Sequence, residues 1–87
     1  MLQLPATKVQ AFVSGVEDLD RLELAALRRY VAALRESLAH GAAVKPSPRP
    51  IALVNQAIRA ASLDLASIEF QRTLLAAEFD LVAAQAA

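Results

Sequence analysis

The fold of this chain follows from residues 50–84, which read PIALVNQAIRAASLDLASIEFQRTLLAAEFDLVAA. Apolar residues recur in it at alternating steps of three and four positions for more than four heptads, and no Gly or Pro follows Pro50. This period is that of a long α-helix with one apolar face. The row comprises Ile51, Val54, Ile58, Ala61, Leu65, Ile68, Arg72, Leu75, Phe79 and Val82.

Arg72 is the single charged residue in this row. A guanidinium at a core position is costly unless it is paired, and such residues can fix register or oligomeric state. Two interpretations stay open at this point. Either the aliphatic stem of Arg72 carries its charge to the rim of the core, or the side chain makes a register-setting contact at an interface.

A second apolar row begins midway along the same helix and gives its C-terminal half two apolar faces. It runs through Leu63, Ala66, Phe70, Leu74, Ala77 and Leu81. One short neighbouring segment is too small to cover both faces, and large exposed apolar patches mark interaction sites. The predicted interface residues are Leu63, Phe70, Leu74, Phe79, Leu81 and Arg72.

Residues 20–40 predict a first long helix. Asp20 and Glu23 have the spacing of an N-terminal capping box, and Gly41 is expected to end the helix in a left-handed conformation. Its core-facing seam is predicted at heptad spacing. The seam residues are Leu24, Leu27, Val31, Leu34 and Leu38.

The remaining segments complete one helical domain over residues 1–87. Residues 41–50 contain three prolines and predict a short, stiff loop, which brings the two helices antiparallel. Residues 5–14 predict a short separate helix that ends at Ser14-Gly15. Because the second long helix is longer than the first, residues 71–87 are expected to overhang it. The fold class is therefore all-α: an antiparallel helical hairpin with heptad, coiled-coil-like packing and a short extra N-terminal helix.

The composition favours helix and argues against enzyme chemistry. Ala and Leu supply 34 of the 87 residues, 56% of residues are hydrophobic, and Cys is absent. His40 is the single histidine and is expected to be solvated at a helix end. We therefore expect no catalytic residue, no cofactor and no metal site. The chain shows no signal peptide and no membrane-spanning stretch, which favours the cytoplasm and leaves export without a cleavable signal open.

Positive charge is concentrated around the predicted loop. Residues 28–59 contain six basic residues against one acidic residue, both flanks are acidic, and the net charge is zero. Such a run is usually a solvated face. An acidic protein partner is a second interpretation, and nucleic acid is a third, for which stacking aromatic residues other than Tyr30 are missing. The basic end comprises Arg28, Arg29, Arg35, Lys45, Arg49 and Arg59.

Two short motifs resemble a known family. AAVKPSPRP at residues 42–50 is similar to the Pro-bounded turn of needle subunits in bacterial type III secretion systems, and LRESLAHG at residues 34–41, with Leu27-Arg28-Arg29, resembles their co-chaperones. The resemblance covers residues 25–75 and implies a secretion-apparatus subunit or co-chaperone. The apolar end at residues 83–87 and the long segment before Asp20 depart from it.

The leading functional interpretation is a non-enzymatic helical protein–protein interaction module. It self-assembles, or it holds a partner helix in an apolar groove as a chaperone or adaptor does. The secretion-apparatus subunit or co-chaperone is a special case of this module. The alternative is a small nucleic-acid-binding or phage-type assembly protein that uses the basic loop end.

Overall fold

A computed structural model of the chain describes residues 4–42 and 49–86. Those residues form two helices, α1 (Ala6–Gly41) and α2 (Ile51–Ala86), each of 36 residues. The helices pack against each other as a hairpin of about 65 × 15 × 15 Å. The predicted all-α hairpin is confirmed.

A proline precedes each helix and closes its first turn. The Pro5 carbonyl accepts hydrogen bonds from the Lys8 and Val9 amides at 3.1 and 3.0 Å, and the Pro50 carbonyl accepts those of Leu53 and Val54 at 3.0 and 3.1 Å. Proline suits this place because its fixed φ fits a helix start, where an amide has no intrahelical partner.

The C-terminal end of α1 differs from the prediction. Gly41 belongs to the helix, and the capping residue is Ala42, with φ −86° and ψ 0° in the right-handed region. The Ala42 amide donates to the Leu38 carbonyl at 3.0 Å. This bond satisfies a terminal carbonyl without a left-handed glycine. The prolines at positions 46 and 48 lie outside the described residues.

The prediction of a separate N-terminal helix is wrong, because residues 6–14 are the first turns of α1. Ser14-Gly15 does not end a helix. A Cβ atom at Gly15 would lie 2.9 Å from Leu75 Cδ2, so the missing side chain leaves room for the Leu75 side chain at this level. Asp20 and Glu23 lie in the middle of α1 and therefore form no N-terminal capping box.

The predicted overhang of residues 71–87 is also wrong, since α1 begins early enough to run beside the described part of that segment. The rings of Phe12 and Phe79 stack with their centroids 4.4 Å apart and 21° between their planes. Leu75 packs against the buried cluster of Leu19, Ala26 and Ile68. The N-terminal turns of α1 therefore cover the C-terminal half of α2 on one face.

The core is a narrow seam at heptad spacing. Among the described residues, those that are buried are Leu19, Ala26 and Ala33 of α1 and Val54, Ala61 and Ile68 of α2. On α2 these residues, with half-buried Leu65, Leu75, Phe79 and Val82, are the predicted row, which is confirmed. The exception is Ile51, which is exposed.

On α1 the predicted seam is wrong. Leu24, Leu27, Val31, Leu34 and Leu38 are 37–72% exposed. The true seam includes Phe12, Leu19, Ala26 and Ala33, seven residues apart. This row packs against α2 because it continues through the whole helix, whereas Glu17 and Asp20 interrupt the leucine row on its N-terminal side. Its small alanines also let the two backbones approach closely.

Candidate protein-interaction surface

Four large apolar side chains on α2 point away from α1. These residues, which we call the outer row, are Leu63, Phe70, Leu74 and Leu81, and they are 48–71% exposed. The spacing that predicted a second apolar face on α2 therefore describes a real surface of the hairpin. No part of α1 covers it, so its use as an interface stays a prediction.

The two other predicted interface residues lie elsewhere. Phe79 is half-buried and stacks on Phe12 between the helices. Arg72 also lies on the side of α2 that faces α1, with 27% of its side chain exposed. Both residues hold the hairpin together, and neither belongs to the outer row.

A second apolar surface lies on α1, on the residues that the heptad spacing predicts to face the core. It consists of the leucine row described above, which we call the lateral row: Leu24, Leu27, Val31, Leu34 and Leu38. A shallow groove there is lined by Leu27, Val31 and Ala32 and bordered by Arg28 and Arg35. The seven-residue repeat of Ala26 and Ala33 with Leu19 and Phe12 is the signal that could have separated this row from the seam.

A third apolar feature is an open groove at the end of the hairpin that carries the N-terminus of α1. The floor is formed by Phe12, Leu75 and Phe79, and Leu81 connects it to the outer row. Lys8 and Glu78 stand at its margin. The outer row is therefore continuous with an apolar depression rather than an isolated stripe.

Arg72 is held by two carboxylates of α1. Its Nη1 donates to Asp20 Oδ1 at 2.8 Å, and its Nη2 lies 3.3 Å from Glu23 Oε1. The hydrogen bond to Asp20, together with the charge of Glu23, raises the pKa of Arg72 and keeps the guanidinium cationic. The carboxylates that hold it are exposed, Asp20 at 61% and Glu23 at 39%, so the stem of Arg72 carries its charge to the rim of the seam, where the ion pairs join the two helices of one chain.

The basic end is partly neutralised within the hairpin. Arg49 binds Glu36 through two hydrogen bonds, Nε to Oε2 at 2.9 Å and Nη2 to Oε1 at 2.6 Å. This pairing lowers the pKa of the Glu36 carboxyl. Arg29 Nη2 lies 3.0 Å from Asp64 Oδ2 across the helix interface.

The other residues of the basic end differ in whether the structure describes them. Arg28, Arg35 and Arg59 make no ion pair with any residue that the structure describes, and Lys45 lies outside those residues. His40, predicted to be solvated, is partly buried, and its Nε2 lies 2.7 Å from the Arg49 carbonyl oxygen. His40 and Glu36 thus tie Arg49 to the end of α1.

Residues 4–42 and 49–86 contain no group of three His, Asp or Glu side chains placed to hold a metal ion. Over the same residues no helix is both long and apolar enough to cross a bilayer. No protein-family model, no curated protein and no solved structure matches this chain. The resemblance to type III secretion hairpins therefore stays a prediction.

Proposed function

We propose that this protein is a non-enzymatic helical interaction module, which associates with copies of itself or with a partner helix through its exposed apolar rows. The observation that carries this proposal is the outer row of α2. Phe70 at 64% exposure and Leu63 at 71% have no neighbour in the hairpin to cover them. A Leu or Phe side chain gains roughly 1.5–3 kcal/mol on full burial, so covering these partly exposed side chains contributes favourably to association, against the entropic cost of binding.

The thinness of the hairpin supports the same proposal. Two helices share one seam, and the largest side chain in the described residues with under 2% exposure is that of Val54. A core between only two helices is too small to bury the other apolar rows of those helices. Amphipathic helices bury such rows by packing against further helices. The lateral row of α1 provides a second surface of the same kind.

The experiment is a double substitution in the outer row. We expect Phe70→Asp with Leu74→Asp to reduce the association of the protein while its helix content survives, measured by light scattering and circular dichroism together. The matched control is Asn55→Asp with Ser62→Asp, because both residues are exposed on α2 outside the outer row and add the same charge. The control is expected to associate as the unmodified chain does.

Two outcomes would contradict the proposal. Complete unfolding of the double variant would place Phe70 and Leu74 in the intramolecular core. An unmodified chain that stays monomeric at high concentration and copurifies with no helical partner would remove the interaction module altogether.

Nucleic-acid binding by the basic end has less support, because Arg29 and Arg49 are paired with carboxylates of the same chain. An electrostatic nucleic-acid site needs several free cations that act together. A gel-shift assay across a salt series separates the two functions. The interaction module is expected to show no binding at physiological salt, and salt-dependent binding would favour the alternative.

A further inference from the structure

We propose that the outer row of α2 binds the outer row of a second copy of this chain, with the two α2 helices antiparallel and a two-fold axis close to Phe70. This inference rests on the proposed function and names its partner. Two independent patterns on the exposed side of α2 support it. One is the charge along an edge of the outer row, and the other is the order of large and small side chains within it.

The charged edge is self-complementary. Arg59, Ala66, Thr73 and Asp80 follow one another at steps of seven residues and so lie along the same edge of the outer row. Arg59 and Asp80 are about 31 Å apart along the helix at 1.5 Å per residue, so they cannot pair within one chain. Neither forms an ion pair with a described residue of the hairpin.

The position of these two charges defines the axis. The midpoint between Arg59 and Asp80 falls between residues 69 and 70. A two-fold axis there brings each Arg59 opposite the second copy's Asp80, so that both ends of the contact close with opposite charges. Such complementarity fixes the register of an interface and suppresses other registers.

The side-chain sizes agree with the same axis. Residues whose numbers add to about 139–141 lie opposite each other across that axis, so Phe70 comes within one residue of its own copy at the centre. The facing pairs are Leu63 with Ala77, Leu74 with Ser67, and Leu81 with Ala60. Apart from the central Phe70, each large side chain meets a small one, as interdigitating helix surfaces require. All of these residues are exposed in the hairpin.

Like charges also approach each other in this arrangement, twice at the opposite edge and once near the axis, where exposed Glu69 lies beside its own copy. At the opposite edge Asp64 lies near the second copy's Glu78. Arg29 of the same chain holds Asp64 at 3.0 Å and offsets this repulsion. The contact therefore has two favourable ion pairs at one edge and two compensated acidic groups at the other, and the approach of the two Glu69 side chains near the axis is its remaining like-charge contact.

The lateral row of α1 is a poorer site for a second copy. In an antiparallel two-fold contact each edge faces its own equivalent, and the edge of this row carries Arg28 and Arg35. With the axis at the middle of the row, near Val31, two copies docked there would bring Arg28 opposite Arg35. Like charges across an interface disfavour that pairing, so the second copy is assigned to α2.

Cysteine cross-linking tests the arrangement directly, because the chain contains no Cys. Under mild oxidation we expect Phe70→Cys to form a disulfide-linked dimer. Leu63→Cys alone is expected to stay unlinked, and a mixture of Leu63→Cys with Ala77→Cys is expected to form the mixed dimer. Leu27→Cys, on the lateral row, is the matched control and is expected to stay unlinked.

A charge exchange tests the register. We expect Arg59→Asp and Asp80→Arg each to raise the dissociation constant of the dimer by roughly tenfold, since each breaks two symmetric pairs and adds two like-charge contacts. The double variant Arg59→Asp/Asp80→Arg is expected to recover the original constant. Arg21→Asp is the control, because Arg21 pairs with Asp18 of its own helix. Circular dichroism of every variant checks that the helices remain.

Several results would overturn this inference while leaving the proposed function standing. Links of Leu63→Cys and Leu81→Cys, each with itself, would show a parallel pair. Links confined to Leu27→Cys would place the contact on α1, and a double charge variant as weak as the single ones would refute the register. A chain that is monomeric at millimolar concentration would also overturn it, and if it bound no partner helix either, the proposed function would fall with it.

Discussion

Arg72 of α2 donates a hydrogen bond to Asp20 of α1 across the helix interface, with 2.8 Å between Nη1 and Oδ1. The two residues are 52 positions apart in the sequence, so the contact aligns one particular turn of α1 with one turn of α2. Glu23, one turn further along α1, approaches the same guanidinium at 3.3 Å. A shift of one turn between the helices would separate Arg72 from one of its two carboxylates. We infer that this cluster sets the register of the hairpin.

Removal of Arg72 should destabilise the hairpin more than removal of a surface arginine. Arg72→Ala leaves Asp20 and Glu23 unpaired and close to each other, and we expect a clearly lower melting temperature by circular dichroism. Arg21→Ala is the control, since its partner Asp18 lies three residues away on the same exposed helix surface. Equal melting temperatures for the two variants would show that the cluster is only a surface ion pair.

The face of α1 that packs on α2 can be tested with two identical substitutions. Leu19 is buried and Leu34 is 37% exposed. We expect Leu19→Ala to lower the free energy of unfolding by about 2–5 kcal/mol, as core truncations do. Leu34→Ala should cost less than about 1 kcal/mol.

Urea unfolding at one fixed protein concentration measures both changes, because self-association would make stability depend on concentration. A larger loss for Leu34→Ala than for Leu19→Ala would mean that the lateral row, and not the alanine-containing row, faces α2.

Gly15 is expected to be intolerant of a large side chain. A Cβ atom there would meet Leu75 at 2.9 Å, whereas nothing lies within 4 Å of a Cβ atom at Gly41. Gly15→Leu should therefore cost about 1–3 kcal/mol through overpacking, and Gly41→Leu should change stability by no more than about 0.5 kcal/mol. Thermal unfolding compares the pair. A neutral Gly15→Leu would mean that the Leu75 side chain shifts to make room for the new side chain.

The pairing of Glu36 with Arg49 should make stability depend on pH in the acid range. The hydrogen bond from Arg49 lowers the pKa of Glu36 below its ordinary value of 4.5. A carboxyl with a lowered folded-state pKa stabilises the fold above its unfolded-state pKa, and this contribution is lost as the pH falls through the folded-state value.

The corresponding measurement compares the unmodified chain with Glu36→Gln. We expect the unmodified chain to have the higher melting temperature at pH 7 and the difference to disappear near pH 3. A difference that is the same at both pH values would show that the Glu36 charge does not contribute.

The local sequence pattern alone was sufficient to predict that α2 is a helix and which of its faces is buried. Its row of apolar residues at alternating three- and four-residue steps runs from Val54 to Val82, and no competing apolar row on α2 is as long. The helical period and the buried face could therefore be predicted from the sequence. The outer row was readable for the same reason. Leu63, Phe70, Leu74 and Leu81 are too far around the helix to share a face with Ile68, whatever α2 packs against.

The pattern of α1 was ambiguous because two rows compete there. The leucine row has larger side chains, and the row through Ala26 and Ala33 is longer and allows closer approach. Hydrophobicity favours the first, and packing against the whole length of α2 favours the second. Only the partner helix decides between them, and that information is not local.

The start of α1 shows the same limit. The local pattern at Ser14-Gly15 indicates a helix end, and that of Asp20 with Glu23 indicates a helix start. In the structure the side chain of Leu75, sixty positions from Gly15, fills the space beside that glycine, and Arg72 pairs with the carboxylates of Asp20 and Glu23. The periods of the apolar residues were enough to predict a hairpin of helices with an unburied apolar row on α2. Which face of α1 is buried and where α1 begins could not be predicted in this way, because both depend on contacts between residues far apart in the chain.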